Sequence, residues 1–285
     1  MNNVIEIKDL SKTYDKFKLD DINLNIPKGI IVGLIGENGA GKTTLIKSIL
    51  NLINIDSGDI KIFGKSNKES DAIIKEDIGI VLDNMFFPEI LNAKDINLIM
   101  KDIYKNWDSD LYFNYLEKFD IPLSKKIKDL SKGMRKKLEI ITALVHKPKI
   151  LILDEPTSGL DPVVRNEILD MFLEFIQDEN NTILLSSHIT SDLEHIADRI
   201  VFIDHGKLIM DEDKDEILDN YGILKCKKDD FKNINKGDII SYKKGKYEYQ
   251  VLVSNKNKIK RKYKDYVIDK ITLDELMVLI VKGEK

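Results

Sequence analysis

A single cysteine, Cys226, occurs among the 285 residues, so no intrachain disulfide can form. The fold must rest on a packed core, and 42% hydrophobic residues over this length supply one. Tryptophan occurs once and proline six times, and no proline-rich or low-complexity linker interrupts the chain. No apolar run approaches the ~18–20 residues that a membrane-spanning helix needs. Residues 1–10 carry Glu6 and Asp9 and lack the apolar stretch of a secretion signal, so export of the chain is not expected. Neither sign of charge dominates: 45 basic residues face 49 acidic ones, a net charge of −4. That balance excludes a protein whose whole surface clamps nucleic acid. The hydrophobic fraction excludes wholesale disorder.

What is present is an alternation of strand and helix patterns. Ile22, Leu24 and Ile26 alternate with Asn23 and Asn25, the period of a strand with one buried face. Val4, Ile5 and Ile7 predict a strand antiparallel to it. After the turn Pro27-Lys28-Gly29, the run Ile30, Ile31, Val32, Leu34, Ile35 suits a strand covered on both faces. Leu45, Ile46, Ile49, Leu50 and Ile53 predict a helix over 43–53. Between about 84 and 149 the pattern is helical. Ile96, Ile99, Met100, Ile103 and Tyr104 share one face, and Met134, Leu138, Ile141 and Val145 share another before Pro148 stops the helix. A buried strand at 150–153 follows, then a helix opened by Asp161-Pro162. Next come a strand at 182–185, a helix with Ser191 and Glu194 at capping-box spacing, and a hairpin joined at His205-Gly206. Beyond about 216 the chain is richer in lysine. A strand near 247–253 and a last helix with Leu273, Leu276, Met277 and Ile280 predict a small α/β appendage.

Two segments carry chemistry. Gly36-Glu37-Asn38-Gly39-Ala40-Gly41-Lys42-Thr43 matches the phosphate-loop pattern in full, between a predicted strand and a predicted helix. Its glycines let backbone N–H groups converge on phosphates, and the helix aims its positive end at the same anion. Lys42 should reach the β- and γ-phosphates, and the Thr43 hydroxyl should ligate Mg²⁺. Asp154 and Glu155 close the apolar strand Ile150-Leu151-Ile152-Leu153. Asp154 would hold Mg²⁺, and Glu155 would activate the water that attacks the γ-phosphate.

With these motifs in this order, the sequence resembles the nucleotide-binding subunit of an ABC transporter over about residues 1–215. Leu130-Ser131-Lys132-Gly133-Met134 is similar to the family's signature motif, with Lys132 and Met134 standing where Gly and Gln are usual. Ser158-Gly159-Leu160-Asp161 is similar to its D-loop, and Ser186-Ser187-His188 to its switch segment. The resemblance implies an α/β fold: a P-loop NTPase core of ABC type, an antiparallel β subdomain and a helical subdomain at about 84–149. Residues 216–285 would form the C-terminal α/β appendage, an accessory region. It implies ATP and Mg²⁺ as ligands. Gly36, Glu37, Asn38, Gly39, Ala40, Gly41, Lys42, Thr43 and Thr44 would wrap the phosphates, and Tyr14 would stack under the adenine. Ser131, Gly133 and Asp161 would meet nucleotide across a subunit interface, and His188 would contact the γ-phosphate. Asp83 aligns with the family's metal-sensing Gln; a slip of one residue would place Asn84 there instead.

Because the signature acts in trans in that family, a working site implies two chains head to tail, most simply a homodimer. A separate transmembrane permease is the second implied partner. The resemblance sets the chain peripherally on the cytoplasmic face of the cell membrane, with 84–104 as the docking surface and export as the direction. Phe86, Phe87 and Pro88 suit either that surface or the core. A non-transport ATPase acting on nucleic acid or ribosomes is the second reading, disfavoured by the acidic balance and supported only by the basic run 256–264. A module that binds ATP without turnover is the third, and the retained Lys42, Asp154, Glu155 and His188 argue against it. The basic run itself suits a solvated charged face before an anionic lipid or nucleic-acid contact. Cys226 reads as an unactivated small residue.

Overall fold

The structure, a computed structural model, describes residues 3–68, 75–83 and 87–284. It divides into two compact units, Met1–Ile189 with Val201–Met210, and Thr190–Ile200 with Asp211–Lys285.

The first unit holds two sheets. In the antiparallel one, β1 (Asn3–Tyr14) lies between β2 (Phe17–Pro27) and β4 (Ser57–Ile62), with the short β5 (Lys65–Ser66) at the edge. Leu24 and Ile26 point into the core and Asn23 and Asn25 out of it, as their alternation dictates. The phase slips earlier in the strand, because Asp21 adopts a positive φ of 54° where the β1–β2 register shifts. That irregularity lets both Leu19 and Ile22 face inward.

The second sheet has six strands in the order β10-β9-β3-β8-β7-β6. Here β3 is Ile31–Ile35, β6 Ile78–Val81, β7 Ile150–Asp154, β8 Thr182–Ser187, β9 Arg199–Asp204 and β10 Lys207–Asp213. Every residue of β3, β7 and β8 is buried. The three run parallel, which explains their near-continuous apolar sequences. His205 and Gly206, both at positive φ, form the tight turn between β9 and β10.

Helix α1 (Lys42–Ile49) stops short of the expected end at residue 53. Asn51 takes a left-handed conformation, and the N–H groups of Asn51 and Leu52 close back on Ser48 and Lys47. This is the paired closing bond of a Schellman turn, which leaves Leu52 56% exposed. The helical segment comprises α2 (Ala93–Ile103), α3 (Ser109–Lys118) and α4 (Lys132–Val145). A reciprocal Asn92–Asp95 capping box opens α2. Ile96 of α2 is buried, whereas Ile99 and Ile103 stay 41% and 59% exposed. Helix α4 ends before Pro148, at a left-handed Lys147. Asp161 caps α5 (Pro162–Phe175) as the Asp-Pro pair requires.

In the second unit, α6 (Thr190–Ile196) begins before Ser191, which therefore lies inside the helix and not at its cap. Helix α7 (Lys214–Asn220) leads into a four-stranded antiparallel sheet, β12-β13-β11-β14. These strands are β11 (Gly222–Cys226), β12 (Ser241–Lys244), β13 (Tyr249–Val253) and β14 (Val267–Lys270). Helix α8 (Lys256–Lys262) packs near β14, and α9 (Leu273–Lys282) packs near β12 and α6. A Thr272–Glu275 capping box opens α9, and Leu273 N donates to Glu194 of α6. Cys226 is buried in this unit's core beside Leu224, Val251 and Val253, and burial raises its thiol pKa, so it stays a neutral thiol.

Candidate active site

Parallel pairing aligns three strand ends. Ile35 at the end of β3 pairs with Ser187 of β8, and Ser186 pairs with Asp154 at the end of β7. A ligand crevice at the carboxyl ends of parallel strands is the general outcome of such sheets. The phosphate loop leaves β3 at this edge. Gly36 must be glycine, because a Cβ there would stand 2.4 Å from the Ile203 carbonyl oxygen. Gly41 takes φ 115° as the residue before α1, and no side chain caps that helix. The first turn of α1 carries no acidic residue, so its N–H groups keep the positive end of the dipole open to an anion.

Lys42 is 5% exposed and folds back over the loop. Its Nζ donates to the Gly36 carbonyl at 2.7 Å and lies 3.2 Å from Glu155 Oε1. That second contact is an ion pair without hydrogen-bond geometry, so Glu155 Oε1 is buried and makes no hydrogen bond. Glu155 Oε2 lies 2.6 Å from His188 Nδ1 and also accepts from the His188 backbone N–H at 3.3 Å. A carboxylate only accepts here, so Nδ1 carries the hydrogen. Glu155 sits at a positive φ of 52°, a conformation a non-glycine residue holds only when its surroundings enforce it. Ser186 does so: the Glu155 N–H donates to both the Ser186 carbonyl and its Oγ, each at 3.1 Å.

Asp154 is almost fully buried and has both oxygens engaged. Thr43 Oγ1 donates to Oδ2 at 2.8 Å, and Ser186 Oγ donates to Oδ1. One hydroxyl and one carboxylate facing each other form a hard-oxygen pair. Mg²⁺ sites use such a thin protein contribution, completed by water and phosphate oxygens. Among the described residues no cluster of three or more His, Cys, Asp or Glu could hold a metal by itself. The donor set therefore fits a metal shared with a phosphate ligand. By sequence Ser186 falls in the switch-like segment but with no role of its own, although the first of two serines ending the buried run Thr182–Ser187 marks a place where polarity is needed.

The remaining expected residues stand apart from this cluster. Tyr14 is 45% exposed, with Lys12 Nζ 5.3 Å from its ring centroid. A cavity of about 380 Å³ beside the loop is lined by Phe17, Lys18, Glu37, Asn38, Ala40 and His205 among others, and Tyr14 is not in its wall. Ser131 is the N-cap of α4, accepting from Met134 N at 3.2 Å. Gly133 is buried against Val164, where a Cβ would sit 3.1 Å from the valine methyls. Lys132 extends over Gly159. Asp161 Oδ1 takes the N–H groups of Val163 and Val164, each at 3.1 Å. Asp83 is exposed two residues beyond β6, with no hydrogen bond or ion pair to Thr43 or Asp154. Asn84 and Phe86 lie outside the described residues.

A second cavity, about 270 Å³ and mainly apolar, opens between β6, α2 and α4. Leu52, Ile80, Phe87, Met100, Tyr104 and His146 are among its lining residues. His146 stacks on Tyr104 at 4.0 Å and donates from Nε2 to the Ile78 carbonyl at 3.2 Å. Its Nδ1 is buried without a hydrogen bond, and burial lowers its pKa below the ordinary value. Glu139, at the same wall, pairs with Lys136 at 2.7 Å, and burial raises its carboxyl pKa.

The sequence model of the ABC transporter family matches residues 19–158. The chain is 33% identical over 219 residues to the ABC transporter ATP-binding protein YtrB of Bacillus subtilis, covering 76% of this chain and 75% of that one. It is 37% identical over 212 residues to the bacitracin transport ATP-binding protein BcrA of Bacillus licheniformis, covering 73% and 69%. A solved structure of an ATP-binding subunit of an ABC transporter superposes with a TM-score of 0.68 at 29% identity, covering 75% of this chain and 91% of that one. The phosphate loop, the acidic strand end and these likenesses agree: the chain belongs to the ABC transporter family, as one of its nucleotide-binding, ATP-hydrolysing subunits.

Proposed function

We propose that this chain drives an exporter from the cytoplasmic face of the cell membrane, acting on a permease that is a separate polypeptide. In this reading two copies close head to tail around ATP and Mg²⁺. One observation carries it: Lys42, Thr43, Asp154, Glu155 and His188 converge at three adjacent strand ends. Gly36, Glu37, Asn38, Gly39, Ala40, Gly41 and Thr44 wrap the phosphates, and Lys42 leaves Glu155 to pair with them. Thr43 and Asp154 hold Mg²⁺, which when bound neutralises charge on the phosphate oxygens. Glu155 takes the proton of the water that attacks the γ-phosphorus as the bond to ADP breaks. His188 fixes the orientation of that carboxylate and contacts the γ-phosphate. Tyr14 stacks on adenine, Asp83 senses the metal, and Ser131, Gly133 and Asp161 meet the nucleotide of the facing copy.

Residues 1–215 form the ATP-binding domain in this proposal, with the helical subdomain at 84–149, and 216–285 form the accessory region. The second compact unit, which holds Asp211–Lys285, supports that division, although it also takes in Thr190–Ile200. The permease docks over 84–104. Support comes from the apolar cavity walled by Phe87, Met100 and Tyr104 and from the exposed Ile99 and Ile103 beside it. The likeness to a bacitracin transport subunit favours export.

The test is purification of tagged Glu155→Gln protein with Mg-ATP from gently solubilised native cells. A stoichiometric multi-span membrane protein, which stimulates ATP turnover when added to the parent chain, is expected. Recovery of ribosomal or nucleic-acid components with no membrane protein would overturn the transporter reading.

A further inference from the structure

The ATPase chemistry leaves the most basic part of the molecule unused. Residues 225–264 carry fourteen Lys or Arg against four Asp or Glu, while the rest of the chain carries 31 against 45. The fold gathers much of this charge on one side of the second unit. Leu224 and Cys226 of β11, Val251 and Val253 of β13, Ile234, and Ile259 and Tyr263 form a single core cluster. The 227–239 segment and α8 therefore cover the same face of the sheet. Tyr263 OH ties them together by donating to Asp238 at 2.6 Å while accepting from Asn235 N at 2.9 Å. On these covering segments Lys227, Lys228, Lys232, Lys236, Lys258, Lys260 and Arg261 are exposed, and so is Lys264 just past the end of α8. Among the described residues none of these eight has an ion pair; Lys262 takes the nearby Asp238.

The fold accounts for only part of this charge: Lys260, Arg261 and Lys262 stand in the last turn of α8, where cations complement the dipole, and Lys256 Nζ donates to the Leu218 carbonyl at 2.7 Å. The first turn of α8 contains Lys256 and Lys258 and no acidic residue, opposing the helix dipole. Lys256 with Lys260, and Lys258 with Lys262, are like-charge pairs four apart, which weaken a helix. An external polyanion would relieve both penalties. We propose that this face of the second unit binds the headgroups of anionic phospholipid.

Lipid suits the surface better than nucleic acid for two reasons. Seven of these eight exposed side chains are lysines, compact charges that serve a diffuse anionic leaflet, whereas arginine forks suit bidentate phosphate and base contacts. Most aromatic rings that could stack unpaired bases are engaged: Tyr263 is buried, and Phe231, Tyr242 and Tyr249 pack on one another at 4.6–6.0 Å, while the 80% exposed Tyr247 lies in the turn between β12 and β13 and not on α8 or the 227–239 segment. The choice also rests on the proposed location at the membrane.

The test uses the full chain without nucleotide and vesicles of phosphatidylcholine, with or without phosphatidylglycerol. A net charge of −4 predicts repulsion from the anionic vesicles unless a local patch binds them. The chain is expected to sediment with the phosphatidylglycerol vesicles only, and to be released as salt rises from ~0.1 M toward ~1 M. Each basic residue near an anionic leaflet contributes roughly fivefold. The triple variant K258Q/K260Q/R261Q should therefore partition about 100-fold less. K258R/K260R should bind like the parent, which separates loss of charge from damage to the helix. Absence of binding, binding untouched in the triple variant, or tighter binding to a single-stranded oligonucleotide than to vesicles at the same salt overturns the proposal. ATP turnover of the triple variant should match the parent, so failure here is distinct from failure of the ATPase reading.

Discussion

Replacing Glu155 by Gln probes the centre of the site, because it keeps the side chain's shape and removes its charge. The carboxylate has Lys42 Nζ at 3.2 Å on one oxygen and His188 Nδ1 at 2.6 Å on the other. Two unit charges at 3.2 Å interact by about 5 kcal/mol at an effective dielectric constant of ~20. Desolvation offsets most of that, and a charge-assisted contact retains about 1.5–3 kcal/mol net. In the variant the buried Lys42 ammonium keeps only its bonds to loop carbonyls, the better one to Gly36 at 2.7 Å. An incoming phosphate then has less competition for it. ATP should bind about tenfold more tightly, a gain of ~1.4 kcal/mol. Turnover should move the other way, falling by ~10²–10⁴ with the loss of the general base. Equilibrium binding of a fluorescent ATP analogue measures the first quantity, and phosphate release at saturating Mg-ATP the second. Hydrolysis at the parent rate, or weaker nucleotide binding than the parent, would refute the assignment of both roles.

Ser186→Ala should lower the melting temperature by several degrees, because a buried oxygen of Asp154 loses its donor and the Glu155 N–H loses one acceptor, a cost of about 1–3 kcal/mol. It should also raise the Mg²⁺ concentration needed for turnover; an unchanged melting curve and metal dependence would show that Ser186 positions nothing. His146 supplies a pH test. Burial holds its pKa below the ordinary 6.5, so as pH falls through that value the unfolded chain takes up the proton first. Its share of stability is therefore complete above about pH 6.5 and is lost as pH falls below it, at most ~1.4 kcal/mol per pH unit. His146→Phe keeps a ring on Tyr104 and should flatten that part of the melting-temperature profile; an identical profile in parent and variant would exclude His146 as its source.

The chemistry legible in the sequence is the chemistry that is local in the chain. Eight consecutive residues make the phosphate loop, so their spacing already specifies a turn, a lysine and a hydroxyl, and the structure sets them there. Cap residues were readable for the same reason at Asp161, whose side chain reaches N–H groups only two and three positions away. Ser191 misled because a capping-box spacing says nothing about a helix that starts earlier. The end of α1 misled because apolar periodicity runs through Leu50 to Ile53, while Asn51 turns the backbone out of the helix.

By itself the sequence determined the family, the phosphate loop, the acidic strand end and the core strands. Those features depend on neighbours within a few residues or on the period of apolar side chains. Only the tertiary structure decided that Ser186 bridges Asp154 and Glu155, since that contact depends on the register of two parallel strands 32 residues apart in the chain. It also decided that Lys42 rests on Glu155, that Phe17 lines the cavity beside the loop, and that α8 and the 227–239 segment pack into one core cluster. Such contacts arise where distant segments are brought together by burial of a common core, and no pattern within either segment encodes the distance between them.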